Sequence, residues 1–297
     1  MPEGHIISAE KDRYELAPGH DVTWTGTLFA KGRGVFRDNG LRPMIGDYVR
    51  WTKSDQDEEA IITEVLPRKN RLLRPPVANV DQVLVVETLV EPMVSALQLD
   101  KLLAVLEKRH FSVLLCFNKL DRTTASLRDA WESRYRPTEY PIFFVDALHG
   151  EGMDALEQAL QGRMTAIAGP SGAGKSTLIR RLSGEESISV GALSAKTARG
   201  KQTTRTSRLF SLGEETFIFD TPGFSSLDLR DFTDVSELAA AFPEMARIKE
   251  LCRFRNCSHR KEPQCAIKQA VERGEIAAGR YESYLTLYAE IEKRLAR

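Results

Sequence analysis

No apolar run in this 297-residue chain exceeds about six to eight residues, VLVVETLV at 83–90 being typical. A helix that crosses a bilayer needs roughly 18 to 20. The opening MPEGHIISAEKDRYE is polar and holds no signal-peptide core. A cytoplasmic protein with no membrane partner is the expectation. Net charge is absent as well, with 42 Lys+Arg against 42 Asp+Glu, so no global field favours one class of partner. The balance is local instead. Residues 191–210 carry Lys196, Arg199, Lys201, Arg205 and Arg208 with no acid, and residues 247–261 carry six cations against Glu250. Such patches suit a polyanion, or else a solvated surface. Cysteine is scarce: Cys116, Cys252, Cys257 and Cys265. Three of the four crowd around His259, which favours a metal over a disulfide framework.

What is present is chain enough for two or three domains. Residues 1–75 read as short strands (HDVTWTGTLF, GVFR, GDYVRWTK, EAIITEVL) separated by Gly, Asn and Asp turns. Gly34 and Gly46 stand where a small barrel bends tightly, and a five-stranded barrel of the OB type is expected. RPPVANVD at 74–81 reads as a linker. From there to 231, apolar strands alternate with amphipathic helices, the pattern of a mainly parallel sheet covered on both faces. From 232 to 297 the pattern turns helical around the Cys/His cluster. The expected fold is therefore multidomain α/β: barrel 1–75, nucleotide-binding domain 76–231, helical metal-binding domain 232–297.

The strongest motif is GPSGAGKST, Gly169 to Thr177. Gly169, Pro170, Ser171, Gly172, Ala173 and Gly174 form a loop between a strand and a helix, so that backbone N–H groups wrap phosphate oxygens. Lys175 neutralises the β and γ oxygens. Ser176 ligates Mg²⁺, and Thr177 continues the first helical turn. This loop alone does not name the base, since ABC ATPases carry nearly the same string. NKLD at 118–121 does. Asp121 accepts from the N1–H and amino group of guanine, Asn118 meets the O6/N7 edge, and the stem of Lys119 lies along the purine. Such a site rejects a base lacking those groups by roughly 10⁴–10⁵. Asp146-Ala147 stands where GTPases usually read Ser-Ala. The Ala147 N–H keeps its contact to the guanine oxygen, while Asp146 departs from Ser. Asp220-Thr221-Pro222-Gly223 reads as a second switch, with Asp220 on Mg²⁺ through water and the Gly223 N–H on the γ-phosphate. In GKQTTRTS at 200–207, Thr204 is the first choice for reaching Mg²⁺ and γ-phosphate, Thr203 the second, and a basic loop without ligand role the alternative. Phe224 occupies the place of a water-orienting Gln, which leaves Gln202 as the candidate for that task.

The order NKLD, VDAL, GPSGAGKST, TT, DTPG is the usual GTPase order with its last two motifs moved to the front, a circular permutation. Cys252, Cys257, His259 and Cys265 offer three thiolates and an imidazole, the donor set of a closed structural zinc site. Cys116 reads as core. Barrel, permuted motifs and Cys3His spacing together resemble the bacterial ribosome small-subunit-dependent GTPase A family over about residues 20 to 295. The resemblance implies GTP hydrolysis to GDP stimulated by the 30S subunit, a role in its late maturation, contact of barrel and zinc domain with 16S rRNA, one Zn²⁺, Mg²⁺ with GTP, and a monomer. The family's Thr loop usually reads GRHTTT. Here Gln202 takes the place of its His and Arg205 that of its third Thr, while Thr204 matches. A GTP-gated binding module, and a GTPase regulating another protein partner, remain the alternatives.

Overall fold

The computed structural model describes residues 1–10, 12–19, 26–32, 36, 41–53, 58–73, 76–184, 208–213, 215–220 and 229–296. The chain forms two compact units, Met1–Leu84 with Ala147–Phe224, and Val85–Asp146 with Ser225–Arg297.

In the first unit, β1 (Glu3–Glu10), β2 (Arg13–Pro18), β3 (Leu28–Gly32), β4 (Tyr48–Thr52) and β5 (Ala60–Val65) close a barrel. β1 pairs with β2, β2 with β3, β3 with β5 in parallel, β5 with β4, and β4 with β1. That order is the OB barrel anticipated from the sequence. Two of its five strands, β1 and β2, precede the strand segments singled out from the sequence, the first of which opens at residue 20. Just before β4, Asp47 is fully buried and accepts from Arg68 on both carboxylate oxygens, at 2.6 and 2.7 Å. Two short strands, β6 (Arg71–Leu73) and β7 (Pro76–Ala78), follow as an antiparallel pair. Gly46 has φ of +86°, and a Cβ there would fall 2.4 Å from the Ala78 carbonyl oxygen and 2.6 Å from the Phe219 ring. Only glycine fits this turn.

The same unit holds β11 (Met164–Ala168), β12 (Arg208–Gly213) and β13 (Thr216–Asp220) with helices α3 (Met153–Leu160) and α4 (Lys175–Ser183). β11 and β13 are buried along their whole length and run parallel; β12 returns antiparallel beside β13. β12 also meets the barrel, through Ser8 opposite Arg208.

In the second unit, β9 (Ser112–Asn118) and β10 (Ile142–Phe144) run parallel, and β9 lies beside β8 (Gln82–Thr88). β8 is buried at every residue, as its VLVV core demands of a central strand. Helices α1 (Ala96–Lys108) and α2 (Ala125–Tyr135) belong here, as do the short α5 (Pro243–Ala246), α6 (Ala266–Glu272) and the long α7 (Ala278–Leu295). α7 buries Tyr284, Leu287, Tyr288 and Ile291, spaced three and four apart, and packs against Val105 of α1, Phe232 and Phe242 in one apolar core. Beside it lies a polar core. Arg280, 1% exposed, donates to both Glu244 oxygens at 2.7 and 3.1 Å and to Asp100 at 2.7 Å. Asp100 also accepts from Arg134 at 2.6 Å and the Tyr135 hydroxyl at 2.8 Å. Among the described residues, no helix is long and apolar enough to cross a membrane.

Candidate functional site: a phosphate loop, a base-reading loop and a Cys3His cluster

The phosphate loop leaves the buried end of β11. Gly169, Gly172 and Gly174 take φ of 133°, 87° and 87°. A side chain at these angles is strained, so the glycines let the backbone curl and turn successive N–H groups toward one point. Ala173 is fully buried beneath the curl, and Pro170 accepts from its N–H at 3.4 Å. Gly174 caps α4, so Lys175, Ser176 and Thr177 form its first turn. The Lys175 ammonium donates to the Gly169 and Pro170 carbonyls at 2.9 and 2.6 Å. A cation held across the mouth of a ring of N–H groups at a helix N-terminus makes an anion site.

Asp220 ends β13, 8% exposed, and stands in parallel register with Ile167, two residues before Gly169. Parallel pairing thus brings a carboxylate to the same strand-end edge as the phosphate loop, where ligands of such sheets bind. Asp81 and Gln82, at the start of β8, tie β11 down as well. Asp81 bonds Met164 N–H at 2.8 Å through its side chain, and Gln82 donates to Thr165 at 3.0 Å and to the Ala159 carbonyl at 3.1 Å. These supports are hidden from sequence reading because they lie about 80 residues away. Gln202, Thr203, Thr204, Gly223 and Phe224 lie outside the described residues.

In the second unit Asn118 closes β9, 4% exposed. Lys119 takes the left-handed conformation with φ of 65°. Its ammonium donates to the Glu91 carbonyl at 2.8 Å, which ties the lysine down. Asp121 follows in a 3-10 turn and is exposed. The neighbouring strand end is stitched to this turn: Val145 N–H to Phe117 O at 2.9 Å, Leu120 N–H to Val145 O at 3.0 Å. Asp146 is thereby brought to the turn, 2% exposed, its carboxylate within 4.8 Å of that of Asp121. Ala147, the next residue, is buried. Phe117 stacks on Phe144 and meets Trp131 edge-on, with centroids 5.3 and 5.7 Å apart, a stiff backing for the turn. Cys116 is buried in β9, and burial pushes its thiol up to about 12, as a core cysteine requires.

The four expected metal ligands converge. Cys252 and Cys265 sulfurs are 3.9 Å apart, and each is 3.5 Å from His259 Nδ1. All four donor atoms, Cys257 included, lie within 4.8 Å of one another. A zinc tetrahedron with Zn–S of about 2.3 Å and Zn–N of about 2.05 Å has edges of about 3.8 Å between sulfurs and about 3.6 Å from sulfur to nitrogen. The donor set and its spacing fit one zinc. Burial pushes the Cys257 thiol up to about 12 and raises that of Cys265, and burial lowers His259. A dication reverses this for the thiols and keeps the imidazole neutral. Glu262 holds the loop, accepting from Ser258 N–H and hydroxyl at 2.7 Å each, Arg260 N–H at 3.0 Å and Lys261 N–H at 3.1 Å. Burial alone would raise its carboxyl, but these bonds win and bring it down to about 2. Tyr281 and Tyr284 donate to the His259 and Ser258 carbonyls at 2.6 and 3.0 Å. None of these supports carries a spacing signature.

A family model described as RsgA GTPase matches residues 65–230. The small ribosomal subunit biogenesis GTPase RsgA of Agathobacter rectalis is 38% identical over 290 residues, 97% of this chain and 94% of its own length. That of Alkaliphilus metalliredigens is 41% identical over 294 residues, 99% of each chain. Among solved structures, YloQ, a circularly permuted GTPase, matches with a TM-score of 0.78 and 31% identity, covering 99% of this chain and 96% of its own. YjeQ from Thermotoga maritima matches with the same score and 32% identity, covering 97% and 98%.

Proposed function

The chain belongs to the RsgA GTPase family and is a GTP-hydrolysing enzyme, and on that premise we propose that it serves in late maturation of the small ribosomal subunit, as a cytoplasmic monomer whose turnover the 30S particle stimulates. The reading rests most heavily on the edge where the phosphate loop and Asp220 meet, set by Ile167 standing opposite Asp220. It is supported by relatives of full coverage whose names specify small ribosomal subunit biogenesis.

The roles follow from the chemistry of each group. Asn118, Lys119 and Asp121 read guanine, Ala147 adds its N–H, and Asp146 stands beside Asp121, their carboxylates within 4.8 Å. Backbone N–H groups of Gly169 to Thr177 hold the phosphates, and Lys175 leaves its carbonyls for their more negative oxygens. Ser176, Thr204 and Asp220 would hold Mg²⁺, which would supply neutralisation of phosphate charge. Gly223 meets the γ-phosphate. Gln202 orients the attacking water, because Phe224 offers no polar group. The parts act as barrel 1–75, GTPase 76–231 and zinc domain 232–297, with barrel and zinc domain on 16S rRNA.

The test is phosphate release from GTP with and without purified 30S subunits, with ATP in parallel. Strong turnover that requires both GTP and 30S is the expected result. Equal turnover with and without 30S would remove the ribosome from the mechanism. Gln202→Ala should abolish the stimulated rate and leave GDP binding intact; stimulated turnover unchanged in that variant refutes the role of Gln202.

A further inference from the structure

The loop between the first two thiolates of the Cys3His cluster is unusual for a surface. Residues 250 to 256 are exposed except Cys252, and they include Leu251, 74% exposed, and Phe254, 43% exposed. Leu251 immediately precedes Cys252, and Phe254 stands on the loop that Cys252 and Cys257 pin at both ends. Phe254 is flanked by Arg253 and Arg255. The Arg253 guanidinium lies 5.7 Å from the Phe254 ring centroid and is anchored to Gln264 at 2.9 Å. It therefore attends one side of the ring and is not free to swing away.

Phe254 also lines a cavity of about 510 Å³ together with Lys249, Arg255 and Asn256, and three of the metal ligands, Cys252, Cys257 and His259, line it too. That volume lies within the range of pockets that enclose a small organic group, about 300–1,000 Å³. The lining offers a flat aromatic ring, a carboxamide able to donate and accept at once, and two cations. Of these cations Arg255 has no ion pair among the described residues, while Lys249 has a long one, 3.9 Å, to Glu250. The acids at the cavity are spoken for. Asp234 caps its own 3-10 turn at Ser236 N–H, 2.8 Å, and Glu250 sits 3.9 Å from Lys249 with its side chain 84% exposed.

A ring for stacking, an amide for a base edge and cations for phosphate are the three things one unpaired nucleotide requires. We infer that the outer part of this cavity, where Phe254 to Asn256 stand over the Cys3His cluster's loop, takes a single extruded nucleotide of RNA, its base on Phe254, its edge at Asn256 and its phosphates at Arg255 and Lys249. The inference rests on the reading that RNA is the partner, and adds that an unpaired base, not a duplex backbone, is what this loop reads. An acidic protein surface would satisfy the cations but leave Phe254 and Asn256 without a role.

The test uses the full-length chain loaded with zinc and two RNA hairpins of one stem sequence, one carrying a single bulged adenosine, compared by fluorescence anisotropy at fixed salt. The bulged hairpin should bind more tightly, by roughly the 5- to 150-fold that stacking one base on an aromatic ring contributes. Phe254→Ala should erase that preference while retaining one zinc per chain, and Phe254→Tyr should restore it. Arg255→Ala should weaken both hairpins alike and reduce the salt slope by about one phosphate. Release of phosphate from GTP with 30S subunits, run on the same wild-type preparation, tests the ribosome reading separately. Stimulation together with a wild-type preference for the bulge in zinc-loaded Phe254→Ala overturns the nucleotide pocket and leaves the ribosome reading standing. Equal binding of wild type to both hairpins and to polyglutamate overturns it as well.

Discussion

Replacing Arg280 by Met should be among the most damaging single changes in the second unit. The guanidinium is 1% exposed and lies between carboxylates that are themselves 3% and 0% exposed. It donates two bonds to Glu244, at 2.7 and 3.1 Å, and one to Asp100. Its removal leaves Glu244 as a buried anion without its cation, a loss that typically costs about 3–5 kcal/mol. Asp100 suffers less, because Arg134 and Tyr135 still donate to it. For a unit of this size about 3–5 °C of melting temperature accompanies each kcal/mol, so the transition should fall by roughly 10–20 °C. Thermal unfolding followed through Trp131, which sits in this unit against Phe117 and Tyr135, reports it. Adding Glu244→Leu to Arg280→Met removes the orphaned charge, and the double variant should regain at least about 2 kcal/mol, since a buried ion pair exchanged for apolar side chains is often neutral. A single variant that costs less than about 1 kcal/mol, or a double variant as weak as the sum of its parts, would refute the reasoning.

In the first unit, Gly46→Ala should cost about 2–4 kcal/mol, from left-handed strain and from pushing a methyl against the Ala78 carbonyl; the urea midpoint should fall with an unchanged slope, and an unmoved midpoint counts against the fit. One zinc per chain should be found by elemental analysis and should be lost in Cys265→Ala. Stripping the metal from the wild type should raise amide exchange through 252–265, whereas retention of stoichiometric zinc by Cys265→Ala would disprove the ligand set.

How much of this could be read beforehand varies with the range of the interaction. The phosphate loop was legible because each of Gly169, Gly174, Lys175 and Ser176 answers a local demand within eight residues. The Cys3His cluster was legible by spacing for the same reason. Strands β1 and β2 were not. A bulge between Ile6 and Ser8 shifts the register, so Ile6 and Ile7 are both buried and the two-residue alternation breaks. β2 likewise buries Leu16 and Ala17 in succession. The parallel contact of β3 with β5 and the bonds from Arg280 to Asp100, 180 residues apart, depend on the finished fold. The anchoring of Lys119 on Glu91 was hidden for a different reason: the acceptor is a backbone carbonyl, which every residue carries.

The central claim is that a base-reading motif placed ahead of the phosphate loop governs hydrolysis at that loop, and Asp121→Asn tests it most directly. Asparagine presents a donor where aspartate accepts, so it loses the guanine amino group and gains the 2-oxo group of xanthine. The lost bond from the amino group to a charged acceptor is worth about 1.5–3 kcal/mol, roughly a 10- to 150-fold fall in kcat/KM for GTP. Phosphate release should be measured with GTP and with XTP, in the presence of 30S subunits. The account predicts that Asp121→Asn loses turnover of GTP and acquires turnover of XTP, while the wild type shows the reverse. Undiminished hydrolysis of GTP by Asp121→Asn, with none of XTP, would contradict it.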